Sequence, residues 1–433
     1  MDFGRCLDRG MAMISATSNR ASGSGPQPGW RRLGLLLVVL GPGLMVMLAD
    51  TDAGSIVTAA QSGARWGYSL LLPEIVLIPA VYLVQEMTVR LGLGTGKGHG
   101  ALIREHFGMP WAMVSVMTLF LSAIGALITE FSGIAGVGSL FGIDPRWSVS
   151  IATAILIGLG VSGSYRRVER IGVTAGLFEL LLIPAAVFAH PHPAQLWHGL
   201  TTIPAGHASY RLLLAANVGA VIMPWMIFYQ QSAVLDKGLI PAQAVPARWD
   251  TAAGAVLTQL VMIAVVVMVA STIGRVHPHQ PLQTVQEIAR GLAPFLGGPG
   301  ARVVFGLGVL GASFIAALVV SLAAAWGLGE VSGLPHSLNT PVHQAKGFYL
   351  IYTLIHVGGA LLIFSGINLI RIDVDTEIMN ALLLPVVLGL LLILESRALP
   401  PPWRMRGLHK FAAWALSAAI IAFALYTGVQ FIA

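Results

Sequence analysis

LADTDAGSIVTAAQSGARWGY, Leu48–Tyr68, decides how the rest of the chain is read. It continues an apolar run, LGLLLVVLGPGLMVM, that has the composition of the first half of a membrane helix. Two carboxylates, Asp50 and Asp52, then appear with Ala53 and Gly54 directly behind, at the depth where hydrocarbon would surround them. An intramembrane acid is costly unless it faces a partner or a polar path, so the stretch predicts a helix broken at Asp52-Ala53-Gly54-Ser55.

The surrounding chain makes the membrane reading firm. Its 433 residues are 56% hydrophobic and 10% charged, with a mean hydropathy of +0.78, whereas a soluble domain carries roughly 25% charged residues. Windows of roughly 20 apolar residues, the length of one bilayer crossing, occur at 33–64, 69–90, 111–141, 147–164, 171–189, 210–235, 250–273, 301–328, 347–370, 376–395 and 409–431. They are long apolar runs, two of them (33–64 and 210–235) interrupted, and not short alternating segments, so helices and not a barrel satisfy the backbone. The fold class is all-α and polytopic, with eleven transmembrane helices. The organisation read from it is a disordered cytoplasmic tail (1–32), a core of ten spans (33–395), and a loop with an eleventh helix (396–433).

Eleven crossings put the termini on opposite sides. With the N-terminus inside, 18 of the 25 Lys and Arg residues fall in inside segments, and only Arg65, Arg146, Arg211, Arg275, Arg290, Arg302 and Arg371 fall outside. The positive-inside rule therefore predicts a cytoplasmic N-terminus and an external C-terminus in a multi-pass plasma-membrane protein. The net charge of +6 is scattered among loops, which gives nucleic acid no continuous stripe to bind. One cysteine, Cys6, excludes an internal disulfide framework. No nucleophile–base pair or HExxH spacing appears, and no enzyme or resident cofactor is expected. GLGTGKGHG (Gly92–Gly100) has Gly98 where a phosphate loop needs Ser or Thr, and it follows an apolar helix and not a strand; it reads as a loop. HPHP and HPHQP, at His190–Pro193 and His277–Pro281, read as external turns with incidental histidines.

Span 6 carries the second interruption. It reads AANVGAVIMPWMIFYQQSAV and breaks at Met223-Pro224, because proline removes a backbone donor and clashes with the preceding turn. Spans 1 and 6 are five apart and so cross in opposite senses. Paired broken helices in two inverted halves mark a midplane binding site, with freed carbonyls and helix ends facing it. Asp52 beside such carbonyls, opposite Met223, predicts a small cation site.

GPGLMVMLADTDAGS, QSGARWGY, RLGLGTGK, GAVIMPW and ITEFSGIAGVGSLFG together resemble the NRAMP family of divalent-metal transporters over about 33–395. The resemblance implies the LeuT-type fold: two inverted five-helix repeats with helices 1 and 6 broken, and an extra helix. It puts the family's metal-binding aspartate on Asp52, its asparagine on Ser55, its methionine on Met223, a carbonyl ligand on Ala220, and a glutamine near the metal on Glu377. Departures from the pattern share a theme. Ala53 replaces a proline, Trp225 and Gln230 replace two histidines, and of an acidic pair in span 3 only Glu130 is kept, with Leu127 at the other position. Histidine titrates near neutrality and tryptophan and glutamine do not. The chain is thus similar to NRAMP-related magnesium transporters, described as proton-independent.

That resemblance implies a transporter of Mg²⁺ or Mn²⁺ by alternating access without proton coupling, working as a monomer in a lipid bilayer with the ion as substrate. A proton-coupled Mn²⁺/Fe²⁺ importer is the alternative, followed by a metal sensor or an organic-substrate carrier. The thioether of Met223 favours softer ions, and carboxylates favour harder ones. Blander readings stand beside each residue: Met223 as packing, Ser55 as the cap of the outer half-helix, Glu377 as a span-end acid near water like Asp373 and Asp375. Asp50 would face away from Asp52 on a regular helix and reads as a structural partner for a neighbouring helix, or else as an acid behind the ligands or in the vestibule; Glu130, Trp225 and Gln230 read as positions that back the ligands or line the ion's path. Glu74, Glu86 and Glu179 carry no motif and read as structural, as does His356.

Overall fold

The structure, a computed structural model, describes residues 41–276, 282, 285–292, 299–365 and 372–432. The expected tail, the first residues of span 1 and the HPHQP turn lie outside them. Among the described residues nine helices are long and apolar enough to cross a membrane: Leu71–Thr95 (span 2), Met109–Leu140 (span 3), Tyr165–Phe188 (span 5), Ala208–Asp236 (span 6), Pro241–Val276 (span 7), Arg302–Ser332 (span 8), Lys346–Phe364 (span 9), Asp373–Arg397 (span 10) and Gly407–Gln430 (span 11). Pro145–Val161 (span 4) is shorter, and span 1 is the pair Pro42–Asp50 and Ala53–Trp66. Among the described residues each of the eleven expected spans contains helix.

Their ends follow from local chemistry. Pro110, Pro145 and Pro224 stand in the first turn of their helices, where the missing N–H costs nothing. Gly96 ends span 2 at φ 68°, a left-handed conformation that glycine adopts without a Cβ clash. The stretch expected as a loop after span 2 is only partly one: His99–Phe107 is a helix. His99 Nδ1 lies 3.1 Å from Gln231 Oε1, and Gly100 N–H donates to Glu330 Oε2 at 2.8 Å, so this short helix is tied to spans 6 and 8.

The packing carries the inverted symmetry. Span 1 packs on span 7, and the second half of span 6 packs on span 2. The first half of span 6 packs on span 10, and the first half of span 1 packs on span 5. Spans 3 and 8, which the inversion exchanges, pack on each other. Small residues permit the closest crossings. A Cβ on Gly219 would stand 1.8 Å from the Glu377 carbonyl oxygen, and one on Gly43 would stand 2.6 Å from the Thr251 nitrogen. Spans 6 and 10 therefore meet backbone to backbone, and the Glu377 turn is pressed against the break of span 6.

Candidate metal site

The first break is shorter than expected and lies earlier. It spans Thr51 and Asp52 alone, and Ala53, Gly54 and Ser55 already belong to the second half-helix. The reason is Asp52 itself. It is the N-cap of that half, in extended backbone, with Oδ1 accepting the Ser55 N–H at 2.7 Å, as capping aspartates do. Ser55 is therefore not the cap. Its hydroxyl donates instead to the Ala220 carbonyl at 3.1 Å, linking span 1 to span 6. In span 6, helix ends at Val221 and resumes at Pro224, with Met223 extended between them. This is the break expected there.

The position a Cβ on Gly54 would occupy lies 2.6 Å from Glu377 Oε1 and 3.5 Å from both Asp52 Oδ1 and Thr129 Oγ1. Three oxygens from spans 1, 3 and 10 thus meet at the start of the second half-helix. Glu377 is 0% exposed and deep in the bundle, so it is not an acid at a wet span end, and Asp373, 5% exposed, is also buried. Asn380 donates to Glu377 Oε2 at 2.9 Å, and Ser122 donates to Asn380 at 2.6 Å. Glu377 Oε1, like Asp52 Oδ2, has no hydrogen-bond partner. Glu130 joins from span 3: its Oε2 lies 3.3 Å from the Ala53 N–H.

Met223 and Trp225 are fully buried, and the Trp225 indole N–H donates to the Met223 sulfur at 3.1 Å. Gln230 turns away, to the Thr251 hydroxyl of span 7 at 2.6 Å. Asp50 ends the first half-helix and lies beside Thr258, whose hydroxyl is 3.4 Å from Oδ2. Among the described residues no three His, Cys, Asp or Glu side chains gather as a metal-holding group. What these contacts bring together is two carboxylates, the Ser55 hydroxyl and the Ala220 carbonyl; the Met223 thioether lies in the break of span 6 with Trp225 as its recorded partner. Buried acids with unpartnered oxygens want a cation, since desolvation is compensated only by a counter-charge or proton.

Sequence reasoning missed Asn380, Thr129 and the burial of Asp373. The spacing held a signal, because Asp373, Glu377 and Asn380 recur at four and three residues and so share one helix face. Glu86, read as structural, meets Arg90 (2.5 Å), Arg248 (2.5 Å) and His409 (3.1 Å), which fits that reading. His356 packs on Tyr352 and bonds its carbonyl at 2.8 Å.

A family model described as Natural resistance-associated macrophage protein-like (Nramp) matches residues 43–430. A protein named divalent metal cation transporter MntH, from Acidiphilium cryptum (strain JF-5), is 29% identical over 425 residues, covering 92% of this chain and 90% of that one. Another of that name, from Klebsiella pneumoniae (strain 342), is 26% identical over 295 residues, 66% of this chain and 70% of that one. A crystal structure of the Eremococcus coleocola manganese transporter, bound to an aromatic bis-isothiourea substituted compound, superposes with a TM-score of 0.75 at 20% identity. It covers 93% of this chain and 88% of that one, and shares the LeuT-type fold. The match across nearly the whole chain, over both broken helices, makes this chain a member of the Nramp family.

Proposed function

We propose that the chain carries divalent metal cations across the plasma membrane by alternating access, with the ion held between the two breaks by Asp52, Glu377, Ser55, the Ala220 carbonyl and Met223. The observation that carries the reading is the convergence of Asp52 and Glu377 oxygens at Gly54, each carboxylate keeping one oxygen without a partner. The relatives named as divalent metal cation transporters support the substrate class. The Lys and Arg distribution supports a cytoplasmic N-terminus.

The ion is Mg²⁺ or Mn²⁺, moved without proton coupling. Support comes from two features. The Met223 sulfur already accepts the Trp225 N–H, which weakens it as a soft ligand and leaves the carboxylates to set a preference for hard ions. Trp225 and Gln230 stand in place of titratable histidines. Proton-coupled Mn²⁺ import is the second reading, favoured by Glu130 reaching the break at Ala53.

Flux into proteoliposomes, read with a Mg²⁺ dye in one set and a pH dye in another, separates them. Mg²⁺ entry without acidification is expected. Mn²⁺ entry with acidification and no Mg²⁺ entry would establish the second reading, with Glu130 as the proton relay. Loss of all flux in Asp52→Ala, with normal expression, tests the site itself.

A further inference from the structure

Side chains from spans 2, 7 and 11 meet on one carboxylate. Glu86 of span 2 is 0% exposed. Arg90, one turn on, donates from Nε to Glu86 Oε1 at 2.5 Å and from Nη1 to the Trp403 carbonyl at 2.9 Å. His409, at the start of span 11, lies 3.1 Å from Glu86 Oε2. Arg248, near the start of span 7, reaches the oxygen that Arg90 already holds: its Nε is 2.5 Å away but out of line for a hydrogen bond.

The charges at this junction do not balance. One carboxylate neutralises one guanidinium, and Arg90 is the one aligned with it and tied at a second point. Arg248 is the surplus cation, and a charge removed from bulk water without its own counter-ion is costly. Space for a second anion is present beside it. A cavity of about 190 Å³ is lined by Tyr82, Val245, Arg248, Trp249 and Ala252, several times the roughly 30 Å³ that one water occupies. The cavity lies on the outer face of the bundle. Val245 and Trp249 are 61% and 67% exposed, and with the exposed Val256 and Leu260 they recur at steps of four, seven and four residues, the spacing of one helix face. In a membrane helix an apolar face of this kind lies against lipid, and a tryptophan at its end stands at headgroup level. This is the end of span 7 proposed to face the cytoplasm.

We propose that the cavity at Arg248, Trp249 and Tyr82 holds the phosphate of an anionic phospholipid of the cytoplasmic leaflet, at the junction of spans 2, 7 and 11. A guanidinium matches phosphate oxygens with paired N–H donors, and basic pockets between membrane helices on this side select acidic headgroups. The acyl chains lie along Val256 and Leu260. The lipid supplies the second anion that Glu86 alone does not. A zwitterionic lipid carries its own cation, adds no net charge and leaves the surplus in place, so the site prefers acidic headgroups. The site is independent of the ion held between the two broken helices.

The test is lipid retention on the purified full-length chain in detergent, read by native mass spectrometry. Phosphatidylglycerol and phosphatidylcholine with the same acyl chains are offered in equal amounts, and the melting temperature is read with each. Wild-type protein should retain phosphatidylglycerol about fivefold over phosphatidylcholine and melt higher with it. Equal retention of the two overturns the proposal without recourse to any variant. Sodium phosphate that raises the melting temperature as much as phosphatidylglycerol at equal concentration assigns the cavity to free phosphate and overturns the lipid. Arg248→Gln should abolish the preference. Lys97→Gln, which removes a charge paired with Glu105 at the other end of the loop after span 2, should leave it unchanged. A preference that survives Arg248→Gln, or that falls equally in both variants, overturns the site. Should Arg248→Gln fail to fold, Trp249→Ala, at an exposed position, is expected to lower phosphatidylglycerol retention by about threefold, and wild-type retention there would overturn the proposal.

Discussion

Ser55 donates its hydroxyl hydrogen to the Ala220 carbonyl across 3.1 Å, and the bond joins the second half of span 1 to the first half of span 6 beside both breaks. The same serine's N–H is held by Asp52 at 2.7 Å. One residue therefore sets the spacing between a carboxylate and a carbonyl that belong to opposite halves of the inverted repeat. Ser55→Ala removes the hydroxyl and keeps the cap. A single hydrogen bond contributes roughly 1 kcal/mol, which is about fivefold in an equilibrium constant. The KM for Mn²⁺ uptake should rise by about that factor with little change in melting temperature. An unchanged KM would mean that the bond holds helices together and has no bearing on the ion.

Gly54 supplies the space in which the site oxygens meet. A methyl group there would stand 2.6 Å from Glu377 Oε1, so the carboxylate must swing away. Because that oxygen is the far end of a flexible side chain, folding should survive. Gly54→Ala is expected to lower Mn²⁺ and Mg²⁺ uptake by about tenfold or more at near-normal expression. Glu377→Gln, which keeps the shape and removes the charge, should do the same. Wild-type uptake in both would remove Glu377 from the ion's surroundings.

How much of this was legible in the sequence depends on range. Broken helices announce themselves locally: Pro224 and the polar run at Asp52 are visible in a window of ten residues. The exact cap was not, because Ala53-Gly54 reads as a breaker until the Asp52 side chain is seen holding the Ser55 N–H. Relations between distant residues were hidden. Nothing in Gly219 says that it touches the Glu377 carbonyl, and that contact is what turns an acid near the start of span 10 into a midplane residue. Glu179 offered no motif. Its complete burial in the middle of span 5 is visible only in the packing.

His99, on the short helix outside the spans, predicts an acid-sensitive junction. Burial pushes its pKa down from the ordinary 6.5 to about 4, partly offset by the Gln231 hydrogen bond. The unfolded imidazole takes a proton near 6.5 and the folded one only near 4. Stability is thus at its full value above pH 6.5 and falls as the pH drops toward 4, by on the order of 3 kcal/mol at the lower end. The melting temperature of wild-type protein should decline between pH 6.5 and 4.5 more steeply than that of His99→Gln. Parallel curves would place the acid sensitivity elsewhere.

Asp250 predicts how the first half of span 1 is released. Its carboxylate accepts the N–H groups of Gly41 and Gly43, orphan donors at the positive end of a helix. The Glu169–Lys237 ion pair, 2.9 Å long, closes over the same point: a Cβ on Gly41 would run into both side chains. Span 7, span 5 and the end of span 6 thus converge on one helix start, at the end proposed to face the cytoplasm. Alternating access requires this half-helix to leave. Hydrogen bonds to a charged group contribute about 1.5–3 kcal/mol, so Asp250→Asn should shift the population toward the cytoplasm-open state by about tenfold. With Cys6→Ser as background and Ala49→Cys, at a buried position, as reporter, maleimide labelling from the cytoplasmic side should speed up by that factor. The effect should be larger when Glu169→Gln is added. Labelling at the wild-type rate in both would show that the half-helix is held by its apolar packing and that these polar contacts only finish its end.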